Sequence, residues 1–229
     1  MYFKKKDVTI GVIIALSVLF ILLLLQIIVP VLFPIDKEKA IQNNLLELNL
    51  TPDDNAYEIA IKASNWVKTE TLSMWNSVES KKLMFITYTY CLFKDKGLCL
   101  VKDKSSHKLV YFFRSSDLKR IYYFMNSKKG LCSEGAVYIM KIMNYFDYEV
   151  RLVKINNWDH VWVEFFDENG MKYYVDPYVN TVTSDFYEFR ENTNWGLWDN
   201  PDKFLATDIN GNEIDISDEY LIYLNGIAS

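Results

Sequence analysis

The chain has 229 residues, half of them hydrophobic and 16% aromatic, with a formal net charge of −5. That is enough apolar material for one folded domain without metal or disulfide support. A charged fraction of 24% is too high for a multi-span membrane protein, and the acidic balance argues against a nucleic-acid partner, which would require a basic face.

From Val8 to Ile35 no residue is charged, and Ile, Leu and Val dominate. About 20 apolar residues span a bilayer, so residues 8–33 read as one transmembrane helix contacting lipid. Residues 1–7 form a basic tail carrying Lys4, Lys5 and Lys6. The far flank, Asp36-Lys37-Glu38-Lys39, is charge-balanced. The positive-inside rule then predicts a single-pass cell-membrane protein with a cytoplasmic N-terminus and everything after Pro34 outside. A cleaved signal peptide is the competing reading. It calls for a shorter apolar core, roughly 7–15 residues, and a small-residue cleavage site; Gln26 to Pro34 holds no A-x-A pattern.

Residues 34–50 read as a juxtamembrane stalk, part helical, and 51–229 as the folded domain. Thr51-Pro52-Asp53-Asp54 predicts a helix start, with Thr51 as cap, Pro52 in the first turn and Asp54 as the acid of a capping box. Ala56, Ile59, Ala60, Ala63, Trp66 and Val67 then line one helical face. Asn49-Leu50-Thr51 is also a glycosylation sequon, a motif short enough to arise by chance. Met84–Tyr90 and Leu109–Phe113 have strand composition. A second helix follows Ser115-Ser116, carries Leu118, Ile121, Tyr122 and Met125, and is broken by Ser127-Lys128-Lys129-Gly130. From Cys132 to Phe146 the chain is apolar nearly all round, the pattern of a helix buried in the core. Three strands are predicted after it: Tyr148–Ile155, His160–Phe166 and Lys172–Val175. Helices, then a buried helix, then an antiparallel meander make an α+β domain.

The three cysteines are Cys91, Cys99 and Cys132. Cys91 and Cys99 flank the turn-like Lys94-Asp95-Lys96-Gly97, so two readings stand: a disulfide across a hairpin, or two ordinary buried thiols. A zinc site from Cys91, Cys99 and His107 has no standard spacing and no evident fourth ligand, and no metal is assigned. Cys132 is the thiol left over.

Cys132 stands in the first turn of the buried helix, where the positive end of the helix dipole favours a thiolate. The bland alternative is a buried structural cysteine. His160 is one of only two histidines and begins a strand, either as a packed core side chain or as the proton carrier that a thiol enzyme needs. Asp176 ends a strand before Pro177 and is otherwise an ordinary turn aspartate. Strand register separates these readings. A three-residue loop, Glu168-Asn169-Gly170, sets Trp162 opposite Asp176 and makes His160 its diagonal neighbour, about 7–8 Å away. A two-residue loop, Asn169-Gly170, puts His160 and Asp176 on opposite faces.

Three blocks in order, Gly130-Leu-Cys-Ser-Glu-Gly-Ala136, Asp159-His-Val-Trp-Val-Glu164 and Tyr174-Val-Asp-Pro177, resemble the Cys-His-Asp motifs of the transglutaminase-like superfamily. The middle block is most similar to the peptide:N-glycanase branch, and Asn65-Trp66-Val67 is similar to the family's leading helix. The resemblance spans about residues 115 to 178, and no motif is matched past Tyr178. It implies a papain-like transglutaminase fold, with the nucleophile helix packed on an antiparallel sheet. It also implies Cys132 as nucleophile, His160 as acid–base and Asp176 as the group orienting the imidazole, with no cofactor. The expected activity is hydrolysis of amide or peptide bonds in a protein or peptide substrate at the cell surface. A lysine amine in place of water gives the alternative, a cross-linking acyltransferase; a non-catalytic binding module is the third. Trp158 and Trp162 are candidate substrate-channel residues, with packing as their other role. Trp66 and Tyr123 are candidate second oxyanion donors beside the Cys132 backbone N–H. Trp195 and Trp198 either pack over the domain or line a groove.

Overall fold

The computed structural model describes residues 11–21, 36–51, 53–73, 98–102, 109–113, 121–130, 132–156, 160–193, 198 and 201–225; of 72–73, 98–102, 109–113, 123, 127, 129–130, 132 and 225 it describes only the backbone. The chain divides into two compact units, 1–37 and 38–229. In the first, residues 11–21 are helical and exposed. Among the described residues no helix is long and apolar enough to cross a membrane. The rest of the predicted anchor, residues 8–10 and 22–33, lies outside the described residues.

From Lys37 on, the elements are α1 (Lys37–Glu47), α2 (Ala56–Glu70), β1 (Leu72–Ser73), β2 (Leu98–Lys102), β3 (Leu109–Phe113), α3 (Ile121–Ser127), β4 (Lys129–Gly130), α4 (Cys132–Tyr145), β5 (Val150–Ile155), β6 (Val161–Phe166), β7 (Lys172–Asp176), β8 (Thr181–Thr183), α5 (Phe186–Asn192), β9 (Phe204–Thr207), β10 (Glu213–Asp215) and α6 (Ser217–Asn225). This is an α+β architecture. Met84–Tyr90 and the predicted Cys91–Cys99 pairing lie outside the described residues, apart from the Cys99 backbone, which pairs with Phe112 in the β2–β3 ladder.

The segment read as a stalk is α1. It buries Ala40 and Asn44, and Leu48 just beyond it is buried as well; Asn44 accepts the Tyr138 hydroxyl at 2.5 Å. The predicted cap at Thr51 is displaced. Asn55 caps α2 through a reciprocal box with Glu58, while the Asp54 carboxylate accepts the Thr51 backbone N–H at 2.7 Å and pairs with Lys62. Both Thr51 and Asn55 have an acid three residues on, so spacing alone does not choose between them. The apolar face of α2 is as the sequence predicts: Ala56, Ile59, Ala60, Ala63, Trp66 and Val67 are all buried.

Helix α4 fills the core. Ala136 to Met140, Ile142 and Met143 are each at most 2% exposed. Burial of each large apolar side chain among them contributes about 1.5–3 kcal/mol, which explains why the helix reads apolar on every side. It packs on β5 and β6 of a six-stranded sheet ordered β10-β9-β5-β6-β7-β8. Every neighbouring pair in that sheet is antiparallel.

The loop that sets the register has three residues. Asp167 N–H bonds Met171 carbonyl at 3.0 Å, and β6 and β7 pair Val163 with Val175 and Glu164 with Tyr174. Gly170 takes the left-handed conformation, φ +75°, that closes such a loop at little cost for glycine. Asp167 Oδ1 fixes the turn from inside, accepting the Asn169 and Met171 N–H groups. This is the register that brings His160 and Asp176 to one face.

The far face of the sheet is covered by the residues past Tyr178. Phe186, Phe189, Trp198, Phe204 and Tyr220 surround Trp162 and Tyr174 in a second core. At its rim Glu164 is fully buried, and an unpaired charge there would cost several kcal/mol. Arg151 meets it at 2.6 Å and the Tyr220 hydroxyl donates to its other oxygen. Arg151 also bonds Glu219 of α6 at 2.5 and 3.0 Å, holding that carboxyl below its usual range. Lys172 lies over the Tyr174 and Tyr220 rings, and this group of charges ties α6 to the sheet.

Candidate active site

Strand pairing delivers two of the three predicted residues to one point. Asp176 is the last residue of β7, and His160 immediately precedes β6. His160 Nε2 and Asp176 Oδ2 are 2.6 Å apart, with 9% and 0% exposure. The other carboxylate oxygen, Oδ1, accepts the Tyr178 backbone N–H at 2.9 Å. A carboxylate only accepts, so Nε2 donates the shared hydrogen. The pair is therefore oriented twice, by the ladder and by the loop that follows it.

Cys132 opens α4, as predicted, with its backbone at the helix N-terminus. Its side chain lies outside the described residues. The placement of its helix is fixed by Gly135, one turn on. An added Cβ at Gly135 would sit 2.9 Å from Val67 Cγ1 and 3.4 Å from Pro177 Cγ. The first turn of α4 thus lies in van der Waals reach of the residue after Asp176, while the close approach that calls for glycine is to Val67 of α2.

The surrounding candidates fare unequally. Trp162, read as a channel residue, is 1% exposed and ringed by Phe189, Trp198, Phe204 and Tyr220 at 5.7–6.4 Å, so among the described residues it packs as a core side chain. Trp66 is 4% exposed and stacks on Tyr138, and its indole N–H donates to Glu47 at 3.0 Å, which commits the donor proposed for the oxyanion. Trp198 packs over the domain at 4% exposure. Trp158, Trp195, Cys91, His107 and the Tyr123 side chain lie outside the described residues. Two residues without prior sequence signal, Ser64 and Asn180, meet beside Asn65 where α2 touches the loop after Asp176. A separate open cavity of about 580 Å³, lined by Asp147, Glu149, Asp167 and Glu168 among others, lies at the opposite end of β6 from His160 and contains none of the predicted site residues. No protein-family model matches the chain.

Proposed function

We propose that the chain is a membrane-anchored, extracytoplasmic cysteine hydrolase of the transglutaminase-like type, cleaving amide or peptide bonds through a thioester. The buried 2.6 Å His160–Asp176 bond is the observation that carries the reading, and it is supported by Pro177, the residue after Asp176, lying near Gly135 of the helix that Cys132 opens. The three sequence blocks, in family order, support it, and the uncharged run at 8–33 after three lysines supports the anchor.

With Nε2 committed to Asp176, Nδ1 is the nitrogen that takes the Cys132 proton. The thiolate attacks the carbonyl carbon, a C–S bond forms, and the negative charge moves to oxygen, where the Cys132 backbone N–H is the donor at hand. Imidazolium Nδ1–H then protonates the amine as the C–N bond breaks, leaving the thioester. A water gives its proton to Nδ1 and its hydroxyl to the acyl carbon, and the acid departs with the thiolate restored. Asp176 keeps the ring in this tautomer and stabilises the imidazolium that forms twice per cycle. A lysine amine at the last step gives cross-linking instead.

The test is full-length protein and its Cys132→Ala variant on a panel of peptide and side-chain amides, with free amine and lysine transfer both measured. Amine release that vanishes in the variant is expected. Transfer without hydrolysis makes it an acyltransferase, and no Cys132-dependent turnover of any kind leaves a binding module.

A further inference from the structure

We infer that Asn180 is a positioning residue for the His160–Asp176 pair, acting by fastening the loop that follows Asp176 onto α2. Its catalytic consequence rests on the hydrolase reading above, whereas its structural test does not.

Strands β7 and β8 are joined by Pro177 to Asn180, with Asp176 and Thr181 as the closing ladder pair. The loop ends with Asn180 at φ +59°, a conformation that glycine adopts freely and that asparagine tolerates at a modest cost. Backbone geometry alone would therefore favour glycine. What asparagine adds is its amide. Oδ1 accepts the Ser64 hydroxyl at 2.9 Å, and Nδ2 donates to Asn65 Oδ1 at 2.9 Å. Ser64 is fully buried, and both partners are consecutive residues of α2. One side chain thus joins the loop to a helix through both ends of its amide, the bond to Ser64 part-buried and the bond to Asn65 exposed.

This link sits in a three-way junction. Helix α2 supplies Val67 and α4 supplies Gly135, each against the other, and Pro177 of the same loop closes on Gly135. The first turn of the Cys132 helix and the residue after Asp176 meet here. The Tyr178 N–H that holds Asp176 Oδ1 belongs to the same four-residue loop. Releasing one end of that loop lets the carboxylate drift from Nε2, while the hydrophobic core is untouched. Misplacement of a catalytic group by about 1 Å costs on the order of a hundredfold in rate.

The experiment is NMR on the full-length chain labelled with ¹⁵N at histidine, where only two imidazoles contribute. Wild type should show a downfield, slowly exchanging His160 Nε2–H bonded to Asp176. Asn180→Gly keeps the loop conformation and removes the link; Asn65→Ala removes one bond and leaves the loop sequence intact. In both, the resonance should move upfield and exchange faster, and kcat on any amide substrate should fall about 10- to 100-fold with KM within about twofold. A resonance and kcat unchanged in both variants overturns the inference, as does a wild-type spectrum without the bonded proton. Should Asn180→Gly not fold, Asn65→Ala decides by the same readouts. A wild type that shows the bonded proton yet turns over no substrate defeats the hydrolase reading, and the spectra still decide the positioning role.

Discussion

Replacing Asp176 with asparagine is expected to lower kcat by roughly a thousand- to ten-thousandfold, the loss seen when a triad carboxylate becomes an amide. The reason lies in how the two oxygens are used. Oδ1 accepts the Tyr178 N–H and Oδ2 faces His160 Nε2. An asparagine that keeps its oxygen on Tyr178 turns its NH₂ toward Nε2. The ring must then accept there and carry its proton on Nδ1, so it cannot take the thiol proton. Size and shape hardly change, so KM and the unfolding midpoint should stay near wild type. Steady-state kinetics with a denaturation curve on the same sample check both, and a kcat within tenfold of wild type would remove Asp176 from the mechanism.

Trp162→Ala is expected to destabilise the folded unit by about 3–5 kcal/mol, the usual cost of deleting a buried tryptophan. A domain of this kind has about 5–15 kcal/mol in total, so the variant should be marginal at room temperature. Trp162 is the centre of the second core, in contact with α5, β9, α6 and Trp198, and its loss opens a cavity that those rigid rings cannot close together. Urea unfolding followed by circular dichroism measures the effect. A substrate-channel role predicts the opposite pattern, a raised KM with an unchanged midpoint, and that result would refute the packing assignment.

The parts of this fold written in local pattern were legible. Helix α4 announces itself because no side of it needs to be polar, whereas Asn169-Gly170 suits both a two- and a three-residue loop, and the left-handed Gly170 closes the three-residue one from which the β6–β7 register follows. That register brings two residues distant in sequence, His160 and Asp176, to one face. What the sequence hid is long-range. Alternation assigns Trp162 and Glu164 to one face of β6, but it does not tell whether water, substrate or another layer lies over that face. The covering layer comes from Phe186, Phe189, Trp198, Phe204 and Tyr220, spread over short elements with no sustained period. The Glu164–Arg151–Glu219 group was invisible for the same reason, since each of those residues is unremarked until α6 brings Glu219 in. The Asn180 clamp joins residues 115 and 116 positions apart, and a turn asparagine carries no mark of its distant partner.

The central claim is that Cys132 is an activated thiol. The most direct measurement is its alkylation rate by iodoacetamide across pH, read by mass spectrometry on the Cys132 peptide of the full-length chain. An unperturbed thiol titrates near 8.5 and labels slowly at neutral pH. The account predicts rapid labelling that persists well below that pH and slows in Asp176→Asn. A Cys132 rate that follows a free thiol at every pH, in wild type and variant alike, would contradict it.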